Sequence, residues 1–349
     1  MDERIDIGDL DREGIAALVA GSGQATYRTR QLVRWLYARG ATRFEGMSDL
    51  PADFRTSLVE GFLVGTAETI ATQESADGTR KYLVRFPDGV SVETVGLPDK
   101  DRLTVCFSTQ AGCAMGCSFC ATGRSGLARD LTPGEMVRQV MLVARDFGDR
   151  VTNAVAMGQG EPFANYDAVL GALRLMNADD GLGIGARHLT VSTCGLLAGI
   201  RRFSAEPEQF TLAVSLHSAV GATRRALMPG VRGVSLTSLR RVIVEYADTT
   251  GRRPTLEYAL IDGVNDTPAE LEALVAFARG LLVHVNLIPV NPVAGAGLKR
   301  ATSARARAFA DTLAAVGIEC SIRVERGADI DAACGQLKQV VADRELPGS

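Results

Sequence analysis

The sequence predicts an α/β protein: a partial (β/α)6 barrel with a small helical N-terminal accessory domain and a β-hairpin extension. Six strand-like runs carry that prediction: Leu103–Phe107, Asn153–Met157, His188–Ser192, Thr211–Leu216, Thr255–Leu260 and His284–Pro289. Helical stretches such as Pro133–Asp146 and Pro268–Leu281 lie between most of them, and alternation of this kind specifies a parallel sheet. In such folds chemistry collects at the C-terminal ends of the strands.

Taken in order, residues 10–40 read as short helices. Leu32, Val33, Leu36 and Tyr37 form an apolar stripe at helical spacing, with Trp35 beside it. A second helical piece runs from Pro51 to about Glu60. Tyr82–Phe86 and Val90–Val95, joined by Pro87-Asp88-Gly89, read as a hairpin. A last strand, Ser321–Glu325, precedes a tail, Arg326–Ser349. The expected divisions are residues 1–62 (helical), 63–100 (hairpin), 101–325 (barrel) and 326–349 (tail).

Of the 349 residues, 46% are apolar and 23% charged, which fits a globular protein with a substantial core. The start, Met1-Asp2-Glu3-Arg4, lacks the basic-then-apolar pattern of a secretory signal. No run is long and apolar enough for a membrane span, so a cytoplasmic protein without a membrane partner is expected. The net charge of −3 excludes a globally basic nucleic-acid binder. Its distribution is uneven, however. Residues 15–44 contain no Asp or Glu but include Arg28, Arg30, Arg34, Arg39 and Arg43, a patch able to meet phosphate.

Three of the seven cysteines, Cys113, Cys117 and Cys120, form C-x3-C-x2-C with Phe119 before the last. The motif begins just after the first barrel strand. Three thiolates can hold three irons of a [4Fe-4S] cubane and leave the fourth open to substrate. A structural zinc site wants four ligands, and His188, His217 and His284 are all remote in sequence. A ferredoxin-like electron carrier wants a fourth nearby cysteine, whereas the next here is Cys194.

The second strand leads into Met157-Gly158-Gln159-Gly160-Glu161-Pro162. Its glycines let backbone approach a ligand, and Glu161 can accept hydrogen bonds from an ammonium group. Ser192, Ser215, His217 and Asn291 place small polar groups at the ends of later strands. Cys320 reads as an inert small core residue, and so does Cys194. Cys334, among small and polar neighbours in the tail, does not.

Cys113–Cys120 with its aromatic resembles the radical-SAM superfamily, making the barrel a radical-SAM barrel. Cys106 through Cys120, the Gly-Glu-Pro turn, Ser215-Leu216-His217 and the tail around Cys334 together resemble the RlmN/Cfr adenosine methyltransferases. Tyr27–Tyr37 resembles the start of their accessory domain, and the likeness, closest to RlmN, covers nearly the whole chain.

The resemblance implies methylation at C2 of an adenosine in 23S ribosomal RNA and, in some members, tRNA. It implies a [4Fe-4S] cluster on Cys113, Cys117 and Cys120, two S-adenosylmethionine molecules per turnover, and a one-electron reductant such as flavodoxin or ferredoxin. One S-adenosylmethionine methylates Cys334. The second is cleaved, and its radical takes hydrogen from that S-methyl group, whose carbon then adds to C2. Cys106 resolves the protein–RNA crosslink, leaving a transient disulfide with Cys334. Gly160, Glu161, Ser192, Ser215, Leu216, His217 and Asn291 match the family's cofactor contacts, and Glu93 its proton acceptor. If Pro98–Asp101 turns a hairpin, residue 93 falls opposite residue 106. Gln159 and Cys194 depart from the residues many relatives carry, methionine and serine. The competing readings are a Cfr-type enzyme acting at C8 and a non-catalytic iron–sulfur RNA-binding protein.

Overall fold

We describe the computed structural model over residues 4–291, 293, 296–323, 326 and 330. Its spine is a ten-stranded sheet. Three antiparallel strands lead in: β1 (Glu68–Glu74), β2 (Arg80–Arg85) and β3 (Ser91–Asp99). β3 turns into β4 (Arg102–Cys106). Six further strands then pair in parallel: β5 (Asn153–Ala156), β6 (Leu189–Thr193), β7 (Thr211–Ser215), β8 (Thr255–Leu260), β9 (His284–Pro289) and β10 (Glu319–Ile322).

The expected barrel strands are thus present, with ends shifted by a residue or two. Two features differ from expectation. The hairpin is not a separate appendage: with the additional strand β1 it continues the barrel sheet. The last strand sits earlier than Ser321–Glu325, because Glu319–Ile322 pairs with His284–Leu287.

The helices follow from local signals. α1 (Arg12–Gly21), α2 (Tyr27–Val33) and α3 (Ala52–Gly61) precede the sheet. α4 (Pro133–Phe147) begins with Thr132 and Glu135 capping each other, with Pro133 in the first turn, and Gly148 ends it in a left-handed conformation. α5 (Tyr166–Asn177), α6 (Leu197–Ser204), α7 (Gly221–Leu227), α8 (Leu236–Thr250), α9 (Pro268–Ala278) and α10 (Ser303–Ala315) complete the wrapping layer.

Alternation along the strands sorts the two sheet faces. Leu189 and Val191 of β6 and Ala154 and Ala156 of β5 are buried with the helical layer in the main core. The opposite face is polar. Ser215, Glu257, Asn286 and Ser321 pair in register across four strands. Asn286 Nδ2 donates to Glu257 Oε2 at 2.8 Å, and Ser321 Oγ donates to Asn286 Oδ1 at 3.2 Å. A closed barrel would fill this space with branched apolar side chains; here polar groups line it.

The N-terminal helices share the barrel's core. The stripe Leu32, Val33, Leu36 and Tyr37 is buried in one cluster with Met136, Val137 and Val140 of α4. Arg138 of α4 pairs with both oxygens of Asp6, at 2.6 and 2.7 Å. Burial pushes the Asp6 carboxyl up, but Arg138 and the N–H groups of Gly8 and Gly65 outweigh it and hold it below its ordinary value. Beside this pair, a Cβ on Gly134 would lie 2.4 Å from the Gly8 carbonyl oxygen. Gly134→Ala is therefore expected to cost about 1–3 kcal/mol by overpacking. A melting temperature several degrees below wild type would show it; an unchanged one would mean that the N-terminal segment is not seated on α4.

Candidate active site at the barrel mouth

The cysteine loop is anchored at both ends. Gln110–Gly112 pairs antiparallel with Leu127–Asp130, and Cys113 N donates to the Gly126 carbonyl at 2.8 Å. Gly112 must be glycine: its φ is 80°, and a Cβ would meet the Gly126 carbonyl at 2.0 Å. Further along, Ser118 N donates to Leu227 O and Gly230 N to Met115 O, both at 2.9 Å, fastening the loop to the end of α7.

Cys113, Cys117 and Cys120 are half-buried with free thiols. Burial pushes Cys113 up to about 11, and the Cys117 and Cys120 charges push in the same direction. Burial also raises Cys120, and the Cys117 charge adds to it; Cys117 itself is lowered, and three cysteines on one short loop suit a cationic iron–sulfur core. Among the described residues no three His, Cys, Asp or Glu groups converge on a single ion. A cubane requires no such convergence, since each thiolate holds a different iron. The donor set therefore fits a [4Fe-4S] cluster.

Glu161 is the hub of the cofactor side. Its Oε1 accepts from Phe163 N at 3.0 Å and Thr193 Oγ1 at 2.7 Å. Its Oε2 accepts from Cys194 N at 2.7 Å and Cys194 Sγ at 2.8 Å. Burial nonetheless raises this carboxyl above its ordinary value. The glycines beside it are also needed for packing. A Cβ on Gly158 would meet Phe107 backbone at 2.7 Å, and one on Gly160 would meet Gln110 Cβ at 2.7 Å. They let the turn pack against residues 107–110, which lead into the cysteine loop. Gln159 completes that link: its carbonyl accepts from Thr109 N at 2.8 Å and its Oε1 from Gly112 N at 3.2 Å.

His217 is buried with a left-handed φ of 54° and sits edge-on to Phe119, ring centroids 4.6 Å apart. Its Nδ1 accepts from Ala259 N at 2.9 Å, which assigns the proton to Nε2 as a donor. Asn265 secures it by donating to the carbonyls of His217 and Ala259, both at 2.6 Å. Burial, then the Arg224 charge, pushes His217 down to about 3.

Ser192 and Ser215 occupy the open face near the ends of β6 and β7, and Asn291 follows β9. The Leu216 side chain belongs to the core, so only its backbone is available to a ligand. Glu93 is not opposite Cys106. The turn is tighter than expected, with Lys100 at φ 54°, so Val95 pairs with Cys106 and Glu93 lies two residues further along. There the Ser108 hydroxyl donates to the Glu93 carbonyl at 2.5 Å. The diagonal neighbours still sense each other. Burial raises Cys106 to about 11, Arg323 opposes this, and the Glu93 charge adds to it. Glu93 is 3% exposed, not a surface hairpin residue. Cys334 lies outside the described residues.

Sequence reasoning missed Ser108, Gln139, Arg224 and Asn265. Ser108 and Gln139 exchange two hydrogen bonds across 31 residues, which no local pattern signals. Asn265 had a weak signal, an Asn in the Gly263–Asp266 turn.

A partial α/β barrel with three cysteines after its first parallel strand and a carboxylate hub after its second defines a radical-SAM protein. Residues 107–278 match the Radical SAM superfamily model, and residues 5–64 match that of the ribosomal RNA large subunit methyltransferase N-terminal domain. The chain is 44% identical over 342 residues to the probable dual-specificity RNA methyltransferase RlmN of Pelotomaculum thermopropionicum, covering 97% of this chain and 93% of that one. It is 45% identical over 344 residues to the dual-specificity RNA methyltransferase RlmN of Anaeromyxobacter dehalogenans, covering 96% and 92%. A crystal structure of a radical SAM methyltransferase from Sphaerobacter thermophilus superposes with a TM-score of 0.88 at 43% identity, covering 95% of this chain and 98% of that one. The chain belongs to the RlmN family. Membership brings a [4Fe-4S] cluster and S-adenosylmethionine with it.

Because His217 is held neutral when folded, the unfolded chain binds the extra proton as pH falls below 6.5. Its contribution to stability is lost from pH 6.5 toward 3, at up to about 1.4 kcal/mol per pH unit. Between pH 7 and 5 the wild-type melting temperature should fall further than that of His217→Gln. Equal falls would show that the buried imidazole does not govern this response.

Proposed function

We propose that this protein methylates C2 of an adenosine at the peptidyl transferase centre of 23S ribosomal RNA, and the same base position in tRNA. The observation that carries the reading is a buried carboxylate, Glu93, diagonal to the Cys106 thiol on the sheet that delivers the cysteine loop. An electron carrier or a passive RNA-binding module has no use for that pair. The relatives' name supports the RNA substrate.

When bound, the cluster supplies the electron that cleaves S-adenosylmethionine to a 5′-deoxyadenosyl radical. Cys113, Cys117 and Cys120 hold it. Glu161, His217 through Nε2–H, Ser192, Ser215, Asn291 and the backbone at Gly160 and Leu216 orient S-adenosylmethionine over the polar face. Cys334 carries the methyl group that the radical attacks, and Glu93 accepts the proton leaving C2. Cys106 pairs with the Cys334 sulfur to release the RNA. A flavodoxin- or ferredoxin-class protein supplies electrons, and the setting is the cytoplasm. Among the described residues no helix is long and apolar enough to cross a membrane. We divide the chain as residues 1–62, 63–100, 101–325 and 326–349.

RNA binding is assigned to the arginine face. Arg30, Arg34, Arg39 and Arg43 are exposed. Arg28 lies over the Tyr27 ring at 4.6 Å and Arg39 over the Trp35 ring at 4.2 Å. Tyr27 itself is 56% exposed, so it is available for base stacking beside phosphate contacts.

Nucleoside mass spectrometry of RNA treated with reduced enzyme tests the activity. 2-Methyladenosine is expected; 8-methyladenosine alone would move the chain to C8 chemistry. Charge reversal at Arg30 and Arg34 should weaken RNA binding at least tenfold and leave cleavage of S-adenosylmethionine intact. Lost cleavage with unchanged RNA affinity would remove the arginine face from RNA recognition.

A further inference from the structure

We propose that Cys194 is a fourth, displaceable thiolate ligand of the cluster, holding the iron left open by the three-cysteine loop until S-adenosylmethionine arrives. The proposal rests on the assignment of the cluster to Cys113, Cys117 and Cys120.

The surroundings of Cys194 are not those of an inert core cysteine. It follows β6 and precedes Gly195, whose φ is 100°. The thiol is half-buried and donates to Glu161 Oε2 at 2.8 Å, and Cys194 and Cys117 pack against the same small apolar cluster of Leu227, Met228 and Val231. A fourth sulfur therefore lies beside the cysteine loop, sharing its apolar support with Met115, Cys117 and Phe119. Soft thiolate is the ligand type that iron–sulfur clusters select.

A second, independent observation points to a negatively charged occupant at this spot. Arg224 of α7 is 3% exposed, and its Nη2 donates to the Cys194 carbonyl at 2.8 Å. Its Nε is buried and meets no hydrogen-bond acceptor among the described residues. The guanidinium lies within electrostatic reach of both Cys117 and Cys194. A buried guanidinium with an unmade hydrogen bond is costly unless an anion completes it. A cluster carrying thiolate ligands is such an anion.

The hydrogen bonds of Glu161 explain why the ligand would be displaceable. Its two oxygens take four donors, which fills a carboxylate. Two donors are backbone N–H groups. A third, Thr193 Oγ1, is pinned by accepting from Gly195 N at 3.1 Å. Only the Cys194 thiol can give way to the ammonium group of S-adenosylmethionine. On ligation the S–H bond breaks, its proton passes to Glu161 Oε2, and an S–Fe bond forms. When the amino and carboxylate groups of S-adenosylmethionine take the iron, the S–Fe bond breaks, the proton on Glu161 returns to sulfur, and the proton lost by the ammonium nitrogen passes to solvent at the barrel mouth. No electron changes hands.

The test compares full-length wild type, Cys194→Ser and Cys194→Ala, reconstituted anaerobically without S-adenosylmethionine. Iron content is measured first, then the [3Fe-4S] electron paramagnetic resonance signal after ferricyanide oxidation, which strips a weakly held iron. Both variants should give a signal several-fold larger than wild type and bind S-adenosylmethionine several-fold more tightly. Four irons in all three proteins, with equal loss on oxidation, would overturn Cys194 ligation and leave the three-cysteine assignment standing. A wild type that holds no four-iron cluster would overturn both.

Discussion

A sheet can bury only what its side chains allow, and this one presents a polar face where a barrel core should be. Ser215, Glu257, Asn286 and Ser321 lie in register across neighbouring strands. Such groups are satisfied by one another and by a ligand, never by packing. The sheet stays open in consequence. Its helices take the apolar load on the outer face, and the N-terminal helices extend that core instead of making their own. The reactive residues then need only be placed around the rim of the polar face.

Glu161 does most of that placing. One carboxylate, buried among four donors, joins the turn after β5 to the end of β6. Gln159 and Gln110 connect the same turn to the strand that opens the cysteine loop: Gln110 Oε1 accepts from Glu161 N at 2.8 Å. His217 is fixed from the far side by Ala259 and Asn265. Polar groups thus hold the mouth of the barrel at the ends of β5, β6, β7 and β8.

Much of this is legible in the sequence, for physical reasons. Thr132-Pro133 and Thr267-Pro268 announce helix starts because caps are local, and β8 and β9 announce themselves as short segments in which apolar residues alternate with Glu257 and Asn286. The cysteine spacing specifies its chemistry because three thiolates suit one kind of cofactor. The strand register around Glu93 is not legible in the same way. It depends on Lys100 adopting a left-handed conformation, and a two-residue slip follows from reading Pro98-Asp99 as part of the turn. Cross-chain pairs such as Ser108 with Gln139, and the burial of Arg224 beside Cys194, depend on tertiary proximity and leave no sequence pattern.

We propose that the radical made at the barrel mouth strikes a methyl group on Cys334 before it touches RNA. Isotope transfer tests this most directly. Enzyme carrying a trideuterated methyl group on Cys334 is given unlabelled S-adenosylmethionine, reductant and RNA. One deuterium should appear in 5′-deoxyadenosine and the other two in the new RNA methyl group. Deuterium-free 5′-deoxyadenosine formed alongside methylated RNA would contradict it.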